Sequence, residues 1–473
     1  MKPFRTKPTL TVRIWKYIEG KSETFLPPRN ILSVMKTYYI PEGLDIDTIL
    51  KQHPVSFKWH PDYFAYLLGQ INEVASNIRD TIDDDGYVPL YAPFLKLRVH
   101  NYNEYMDYLV DAGIIERTDT YQAGERSKGY RFALPYRNQP LKPVQISKYT
   151  LLKKIKAQNA YDKGMKAKYD YLYKWFTPEL TIDFNKAEEA LELIKIENIL
   201  RCKPNPFEKY NAHWTTAAKI RDKEFHFRVD TVAGRLHTNL TTLKKELRPF
   251  ISYDGMTLAS IDVVSSQPTL ISALLSPTFY EKHGDETVSF LDTIAPIRKM
   301  IDLPSVWKHI KENYPDTELF RTDALNDFYT SFQKRVGEKI NGYEVSRGDI
   351  KKSVFQVLYS HNNFINQKNA WLKRLFKETY PGTYSILEAF KKEPKALPLL
   401  MQNLEAQLVL DRVAKAAAKH APGMPLFTVH DSIVVPFKEA GWCMELFRNV
   451  YKNTIGIIPN LRVEIWAHSQ QST

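Results

Sequence analysis

The pattern of apolar and polar positions predicts a chain that mixes α-helices with short β-strands. In "NYNEYMDYLVDAGII", apolar residues recur at the i, i+3, i+4, i+7 and i+8 positions of one buried helical face, and Gly113 ends the pattern. The next stretch, "IIERTDTYQAGERSKGYRFAL", has two strand-like arms around a charged, Gly-containing tip and predicts a β-hairpin. The residues of the helical face are Tyr102, Tyr105, Met106, Leu109 and Val110.

Two later segments place acids beside predicted strands. In "LASIDVVSSQPTLISALL", Asp262 lies near the end of a predicted strand, Leu258–Val264, and Pro268 suits the first turn of the helix that follows. In "LFTVHDSIVVP", two short strands flank His430 and Asp431. Asp is common at turns, so the second pattern is also consistent with an ordinary hairpin turn. A buried acid is costly to desolvate without a cation, and a metal ion is the obvious partner for Asp262.

A third segment, "RGDIKKSVFQVLYS", predicts a helix with one mixed stripe. Arg347, Lys351, Phe355 and Tyr359 follow one another in steps of four residues, which keeps them on one slowly drifting face. The cationic end of this stripe could hold a triphosphate, and its aromatic end could stack on a base. A surface helix with a partly buried Phe355 is the alternative interpretation.

The charge balance favours an anionic partner. The 473 residues include 66 Lys and Arg against 54 Asp and Glu, a net charge of +12. Between Leu141 and Phe176, nine lysines stand against two aspartates, with five tyrosines interleaved. Cations beside aromatic rings suit a nucleic-acid track, although a solvated helical face would have the same composition.

Cysteine content and hydropathy predict the compartment. The two cysteines, Cys202 and Cys443, form neither a disulfide framework nor a CxxC zinc motif, which is typical of a reducing compartment. The start of the chain lacks the apolar core of a signal peptide, and no run approaches the length of a membrane span. We therefore expect a cytoplasmic protein of a bacterial or phage-infected cell, without a membrane partner.

The three segments together, in this order, resemble motifs A, B and C of the family A polymerase superfamily, which contains bacterial DNA polymerase I and the single-subunit RNA polymerases of phages and mitochondria. "VAGRLHTNL" resembles the element that precedes motif A, and "LMQNLEA" resembles the segment before motif C. The matched region is roughly residues 225 to 440. The helix followed by a hairpin near the N-terminus resembles the winged-helix domains of replication and transcription proteins, where Lys128 and Arg131 could touch phosphates. A small packing module is the alternative there.

The resemblance implies a role for each matched residue. Asp262 and Asp431 would hold two Mg²⁺ ions, for which Mn²⁺ could substitute, and would be the catalytic residues. Four residues of the mixed stripe and Gln267 would contact the incoming nucleotide, and three others would contact the primer and template. The nucleotide-binding set is Arg347, Lys351, Phe355, Tyr359 and Gln267; the primer and template set is Arg235, Gln402 and His430.

The kind of polymer is left open by the motifs. "SQ" in motif A, "GRL", "MQ" and Phe355 are similar to the DNA polymerases, whereas Ser432 after the HD pair and "KKSV" are similar to the RNA polymerases. Gln267 stands where DNA polymerases of the family usually carry glutamate and the RNA polymerases glycine. We expect a DNA-directed DNA polymerase acting on DNA template, primer and dNTPs. The alternatives are an RNA polymerase or primase that uses NTPs, and a non-catalytic DNA-binding replication factor.

The predicted fold class is α+β, a right-hand polymerase of palm, fingers and thumb with an antiparallel palm sheet, preceded by a winged-helix-like domain. The N-terminal part is too short for a complete proofreading exonuclease. A replication enzyme of a phage, plasmid or mobile element, working with other replication proteins, fits this organisation. We expect a linker at Pro140–Pro143. The expected segments are an N-terminal extension (1–44), the winged-helix-like domain (45–138), a basic helical thumb-like region (139–224) and the palm and fingers core (225–473).

Overall fold

The structure is a computed structural model that describes residues 35–78, 80–118, 127–157, 160–281, 299–337, 339–340 and 343–467. Most of the expected N-terminal extension and the tip of the predicted hairpin lie outside the described residues. The chain divides into two compact units, and the described part of the first comprises residues 35–73 and 87–157 with the same gaps. The second comprises residues 74–86 and those from 160 onward. Helices and antiparallel strands are mixed in both.

The first unit combines a three-stranded sheet, a two-stranded sheet and short helices. The three-stranded sheet has the order β2-β4-β3, and all of its pairs are antiparallel. The strands are β1 (Lys36–Pro41), β2 (Val88–Pro89), β3 (Ile115–Arg117), β4 (Gly129–Phe132) and β5 (Leu141–Ile146). The helices are α1 (Ile46–Gln52), α2 (Pro61–Asn77, with its last turn in the second unit), α3 (Ala92–Arg98), α4 (Tyr102–Asp111), α5 (Leu134–Arg137) and α6 (Tyr149–Lys156).

The predicted helix and hairpin of this unit are confirmed as α4 and as the pair β3 and β4. Four of the five residues on the predicted face of α4 are buried, and Val110 is half-buried. Gly113 ends the helix with φ +67°, a conformation that glycine adopts without strain. Arg131 forms an ion pair with Glu116 at 2.6 Å, and its guanidinium lies 4.2 Å from the Tyr87 ring centroid. Its charge is therefore already engaged inside the unit.

The expected linker at Pro140–Pro143 is wrong. Most of it belongs to β5, which pairs antiparallel with β1 and sets Pro143 opposite Tyr39. Proline lacks a backbone donor, but both strands of a two-stranded sheet are edges, so its nitrogen can face away from the partner. The four segments expected from the sequence stay a prediction.

The second unit contains a six-stranded antiparallel sheet surrounded by helices. The strands of this unit within the described residues are β6 (Leu180–Ile182), β7 (Phe227–Val229), β8 (Leu236–Thr238), β9 (Ile251–Tyr253), β10 (Met256–Val263), β11 (Lys339–Ile340), β12 (Tyr343–Glu344), β13 (Phe427–Val429), β14 (Ser432–Pro436) and β15 (Leu461–Ile465). The six-stranded sheet has the order β13-β14-β10-β9-β6, with β15 also paired to β10, whereas β7 with β8 and β11 with β12 form separate two-stranded sheets. The helices in the first half of this unit are α7 (Ala160–Lys168), α8 (Asp170–Tyr173), α9 (Phe184–Leu200), α10 (Pro206–Arg221), α11 (Asn239–Thr242), α12 (Ser266–Leu275) and α13 (Pro277–Glu281).

The remaining helices fill the second half of the unit. They are α14 (Leu303–Asn313), α15 (Glu318–Leu325), α16 (Phe328–Val336), α17 (Arg347–Tyr359), α18 (Trp371–Thr379), α19 (Pro381–Phe390), α20 (Ala396–Ala406), α21 (Lys415–His420) and α22 (Ala440–Ile455). A π-helical segment, Gln407–Ala414, joins α20 to α21. Short 3₁₀ turns cover Lys245–Phe250, Pro315–Thr317, Asn362–Asn366, Lys368–Ala370 and Phe437–Glu439. Within the described ranges, no helix is both long enough and apolar enough to cross a membrane.

β10 is the strand on which the sheet is built, because it pairs with β14, β15 and β9. Its residue Ile261 lies opposite Ile433 of β14 and Val463 of β15, and it is fully buried. Leu258 and Ala259 are buried as well. The strand is therefore buried on both faces from Leu258 to Ile261, a stretch that includes the polar Ser260.

Replacing Ile261 by alanine should remove packing from the centre of this sheet. We expect Ile261→Ala to lower the free energy of unfolding by about 3 kcal/mol, the usual effect of truncating a buried aliphatic side chain to alanine. Chemical denaturation followed by circular dichroism measures this change. Thr257→Ala, on the exposed part of the same strand, is the matched control and should stay within about 0.5 kcal/mol of wild type. Equal effects of the two substitutions would contradict the central position of β10.

Candidate functional site

The two predicted catalytic acids lie close together, Asp262 in β10 and Asp431 in the turn that leads into the neighbouring strand β14. The ladder between β10 and β14 ends with Ile261 opposite Ile433, so the next residue, Asp262, adjoins Ser432. Asp431 occupies the turn between β13 and β14, one residue before Ser432. The sheet thus brings together two acids that are far apart in the sequence.

Burial and the charges of neighbouring acids, Glu464 in the case of Asp262, raise the pKa of both carboxyl groups. Burial raises the pKa of Asp262, and the nearby Ser432 hydroxyl, Arg248 and Arg462 oppose this rise. The guanidinium of Arg462 lies 4.0 Å from the Asp262 carboxylate on an exposed side chain. Burial also raises the pKa of Asp431, and the charges of Glu405 and Asp262 raise it further. Carboxyl groups whose ionisation is disfavoured by burial and by neighbouring acids form a place where a cation would be stabilised.

Glu405 is a third acid at this site, and the sequence analysis did not single it out. It is buried on α20, three residues after Gln402, within the same "LMQNLEA" segment. The Ser266 hydroxyl donates a hydrogen bond to its carboxylate at 3.3 Å and also interacts with Asp431. The i, i+3 spacing from Gln402 was the available signal, because it places Glu405 about one helical turn further along.

Arg235 neutralises Glu405. Arg235 lies in the loop between β7 and β8. The Asp230 carboxylate organises this loop by accepting hydrogen bonds from the backbone N–H groups of Val232 and Arg235, at 2.9 and 3.0 Å. The Arg235 guanidinium forms an ion pair and a hydrogen bond with the Glu405 carboxylate. Its buried Nε has no hydrogen-bond partner within the described residues. The predicted primer contact of Arg235 therefore competes with an internal salt bridge.

The turns at both aspartates contain residues in left-handed conformation. Ser265, at the N-cap of α12, has φ +56°, and His430, in the β13–β14 turn, has φ +55°. Neither is glycine, so both conformations are strained and must be held by the surrounding structure. His430 is exposed and, with Arg235 and Glu405, lines a small cleft. The other lining residues are Leu236, Ala406, Leu410 and Thr428.

The mixed stripe is the exposed face of α17. The helix begins with a capping box in which Ser346 and Asp349 exchange side-chain and backbone hydrogen bonds at 3.1 Å. Its opposite face, with Ile350, Val354 and Leu358 among others, is buried. The predicted helix is therefore confirmed, and Arg347, Lys351, Phe355 and Tyr359 all lie on its exposed side.

The two rings of the stripe stack on each other. The centroids of Phe355 and Tyr359 are 5.5 Å apart with an interplanar angle of 30°, and the Lys351 ammonium lies 5.9 Å from the Phe355 ring. The nearby charges of Arg235 and Glu405 affect the pKa of Tyr359, which burial raises. The aromatic end of α17 is therefore close to the Arg235–Glu405 pair.

The cationic end of the stripe is engaged by an acid. The Arg347 guanidinium forms two hydrogen bonds with the Asp327 carboxylate, at 2.9 and 3.1 Å, and lies 5.7 Å from the Tyr329 ring. Tyr329 is itself near the charges of Arg347 and Asp431, while burial raises its pKa to about 12. Tyr329 is thus near both the cationic end of α17 and Asp431, and no sequence pattern indicated it.

Gln267 lies on α12, the helix that follows β10, and Gln402 lies on α20, the helix that also carries Glu405. Gln267 is in the first turn of α12, and its buried Oε1 has no hydrogen-bond partner in the part of the chain that the structure describes. Gln402 is half-buried on α20. An acceptor without a donor in a buried position has a free energy cost of about 1 to 3 kcal/mol, which a ligand donor could remove.

The acids suit a magnesium site that a substrate completes. Among the described residues, no group of three or more His, Cys, Asp and Glu side chains is arranged to hold a metal ion. Asp262 and Asp431 supply only two carboxylates, and the third acid, Glu405, is paired with Arg235. Magnesium usually takes one or two protein carboxylates and fills its other positions with water and phosphate oxygens. The residues present therefore fit Mg²⁺ better than a metal with a closed protein shell.

Comparisons with known proteins add a similarity in structure only. No family model and no curated protein matches the sequence. Among solved structures, the chain is similar to the POL domain of Pol1 from M. smegmatis in complex with DNA primer-template and dNTP. The identity is 12%, the similarity covers 63% of this chain and 69% of that chain, and the TM-score is 0.36. A TM-score of 0.36 does not establish a shared fold, so a functional assignment must stand on the geometry of the site.

The raised pKa of Asp431 predicts a stabilising substitution. A carboxyl group whose pKa is higher in the folded state than in the unfolded state destabilises the fold as pH rises above its unfolded value. Without divalent cations, Asp431→Asn should therefore raise the free energy of unfolding at pH 8 by about 1 to 2 kcal/mol. It should also flatten the decrease in stability between pH 4 and 8. Denaturation in EDTA across this range measures both effects.

Asp254→Asn is the matched control, because Asp254 is an exposed acid in the turn before β10. Its left-handed backbone, with φ +47°, is tolerated by asparagine. We expect no change in stability or in its pH dependence. If both substitutions stabilised the protein equally, burial and repulsion at Asp431 would not be the cause of the stabilisation.

Proposed function

We propose that the protein is a template-directed nucleotidyltransferase of the family A polymerase type, and that it extends a DNA primer with dNTPs. The observation that carries this proposal is the adjacency of Asp262 and Asp431, with the aromatic end of α17 beside the same cluster. In this proposal the six-stranded sheet is the palm, and α17 belongs to the fingers. The predicted thumb-like region includes α9 and α10, which pack against each other.

In this proposal the site residues have different roles in phosphoryl transfer. Asp262 and Asp431 would hold divalent cations, which when bound lower the pKa of an attacking hydroxyl and neutralise charge on the leaving phosphate. Lys351 would contact the triphosphate directly. Arg347 would do so by exchanging the Asp327 carboxylate for a phosphate, which its planar guanidinium can bind with the same two donors.

The aromatic residues of α17 would position the base. Phe355 and Tyr359 are both partly exposed, at 43% and 40%, and already lie as a stacked pair. A base could extend this stack, which favours every base similarly and leaves selection to the template. His430 and Gln402 would contact the primer end, and Arg235 would reach it from the salt bridge with Glu405.

Physical arguments favour this proposal over two other classes of protein. A two-metal nuclease would share the aspartates but has no need of a helix that offers cations and stacked rings. A non-catalytic DNA-binding factor has no physical reason to keep the repelling acids, because their burial destabilises the fold. A role in replicating a phage, plasmid or mobile element is part of the proposal.

Removing one acid should abolish synthesis but not DNA binding. With Mg²⁺ and a primed template, we expect Asp431→Asn and Asp262→Asn to lower primer extension by about a thousandfold or more, because each removes a cation ligand. Affinity for the primed template, measured by fluorescence anisotropy, should stay unchanged. Asp254→Asn should extend the primer as wild type does. Failure of folded wild-type protein to incorporate dNTPs or NTPs, or equal loss of synthesis and affinity in the variants, would contradict the proposal.

Gln267 should determine the choice of sugar. Its side chain is long enough to obstruct a 2′-hydroxyl, and its buried Oε1 lacks a donor within the described residues. We expect Gln267→Gly to raise NTP incorporation relative to dNTP incorporation by about tenfold, because the obstruction is removed. Gln267→Glu should keep or strengthen the preference for dNTPs. The ratio of kcat/KM for the two nucleotide types on one primed template measures this effect, and an unchanged ratio in both variants would exclude Gln267 as the determinant.

A further inference from the structure

Two contacting helices of the first unit, α3 and α6, carry cations and are accompanied by exposed aromatic rings. Helices α3 and α6 together carry five Lys and Arg residues and no Asp or Glu. Three aromatic side chains accompany them, with exposed fractions of 66% for Tyr91, 44% for Phe94 and 72% for Tyr149. We define the α3–α6 face by its exposed residues Tyr91, Phe94, Lys96, Tyr149, Lys153 and Lys154.

The two helices of the α3–α6 face are held together by packing and by a hydrogen bond. Leu95 of α3 and Leu151 and Leu152 of α6 are buried. The Lys154 ammonium donates to the backbone carbonyl oxygen of Arg98 at the end of α3, at 3.2 Å. The buried positions account for the fold of the two helices, so folding does not explain the exposed rings and lysines.

The cations and rings of this face are available to a ligand. In the described ranges, no carboxylate forms an ion pair with Lys96, Lys153 or Lys154. The Arg98 guanidinium lies 3.3 Å from the centroid of the Phe94 ring, so one ring already has a cation on one side. Large aromatic side chains that remain exposed next to lysines suit stacking with bases whose phosphates the lysines contact.

Other elements of the same unit are less suited to binding a polyanion. Helix α4 carries three exposed acids, Glu104, Asp107 and Asp111, and no Lys or Arg. Arg131 of β4 and Arg137 of α5 both pair with Glu116 of β3, and Asp107 of α4 pairs with Arg117. The exposed acids Glu104 and Asp111 therefore make α4 less favourable for an anionic strand than the lysines of the α3–α6 face.

We propose that the α3–α6 face binds single-stranded nucleic acid, with its phosphates on Lys96, Lys153 and Lys154 and its bases against the exposed rings. Single strands fit because only unpaired bases expose a ring face for stacking. An anionic membrane fits less well, because helices of seven and eight residues are too short to bury a continuous apolar face in a bilayer. This site lies in a different unit from the three acids and adds a second nucleic-acid contact to the proposed function.

The binding assay uses the full chain, a fluorescein-labelled 20-nucleotide oligothymidylate and no nucleotide or divalent cation. Lys96→Ala with Lys153→Ala should reduce the slope of log affinity against log salt by about 1.4, since each phosphate contact on a single strand contributes about 0.7. Phe94→Ala with Tyr149→Ala should weaken binding about tenfold, with little change in that slope. Lys51→Ala with Lys58→Ala removes the same charge from exposed positions elsewhere in the unit and should change neither quantity.

Photo-crosslinking locates the strand independently of affinity. An oligonucleotide that contains 5-iodouracil should crosslink to peptides from residues 91–98 and 149–156 of the wild-type chain. Crosslinks confined to the second unit, or equal changes in the Lys51/Lys58 control, would overturn the inference. So would binding to phosphatidylserine vesicles that the face variants abolish while oligonucleotide binding is unaffected. Because the assay needs no synthesis, failure of primer extension would leave this result standing, and loss of the crosslinks would leave the proposed polymerase site standing.

Discussion

The repulsion among three acids at one end of the β10–β14 ladder is the constraint on which the site depends. Asp262 and Asp431 are brought together by strand register, and Glu405 approaches them from α20. Arg235 forms an ion pair with Glu405, Arg462 lies 4.0 Å from the Asp262 carboxylate, and no ion pair among the described residues involves Asp431. The protein itself therefore balances the three acids incompletely, which suits a site that is completed by divalent cations and phosphate.

The backbone around the acids also adopts conformations that cost stability. Ser265 and His430 adopt left-handed conformations without being glycine, and each lies within three residues of an aspartate. Directly after Glu405 and Ala406, the helix widens into the π-helical segment Gln407–Ala414. Strained residues and π-helical turns are concentrated at functional sites, where surrounding packing holds them in place. Here the buried β10 and its ladder partners provide that packing.

The two units separate their charges in different ways. In the second unit, α17 buries an apolar face and exposes a stripe that runs from cations to stacked rings. In the first unit, whole helices differ, since α4 exposes acids while α3 and α6 expose lysines and aromatic rings. In both units, a cation lies next to an exposed aromatic ring, Lys351 beside Phe355 in one and Arg98 beside Phe94 in the other. That shared arrangement is the chemical reason for assigning both surfaces to nucleic acid.

Local periodicity by itself determined the strand around Asp262, the hairpin at Asp431, the stripe of α17 and the buried face of α4, because these patterns depend on residues a few positions apart. The order of the three motifs also led to the pair of aspartates. Only the tertiary structure decided that Glu405 and Tyr329 lie near them, that Arg235 and Arg347 are paired with acids, and that Pro143 sits in a strand. Those outcomes depend on contacts between distant segments, whose distances and competing partners are set by packing and leave no periodic signal in the chain.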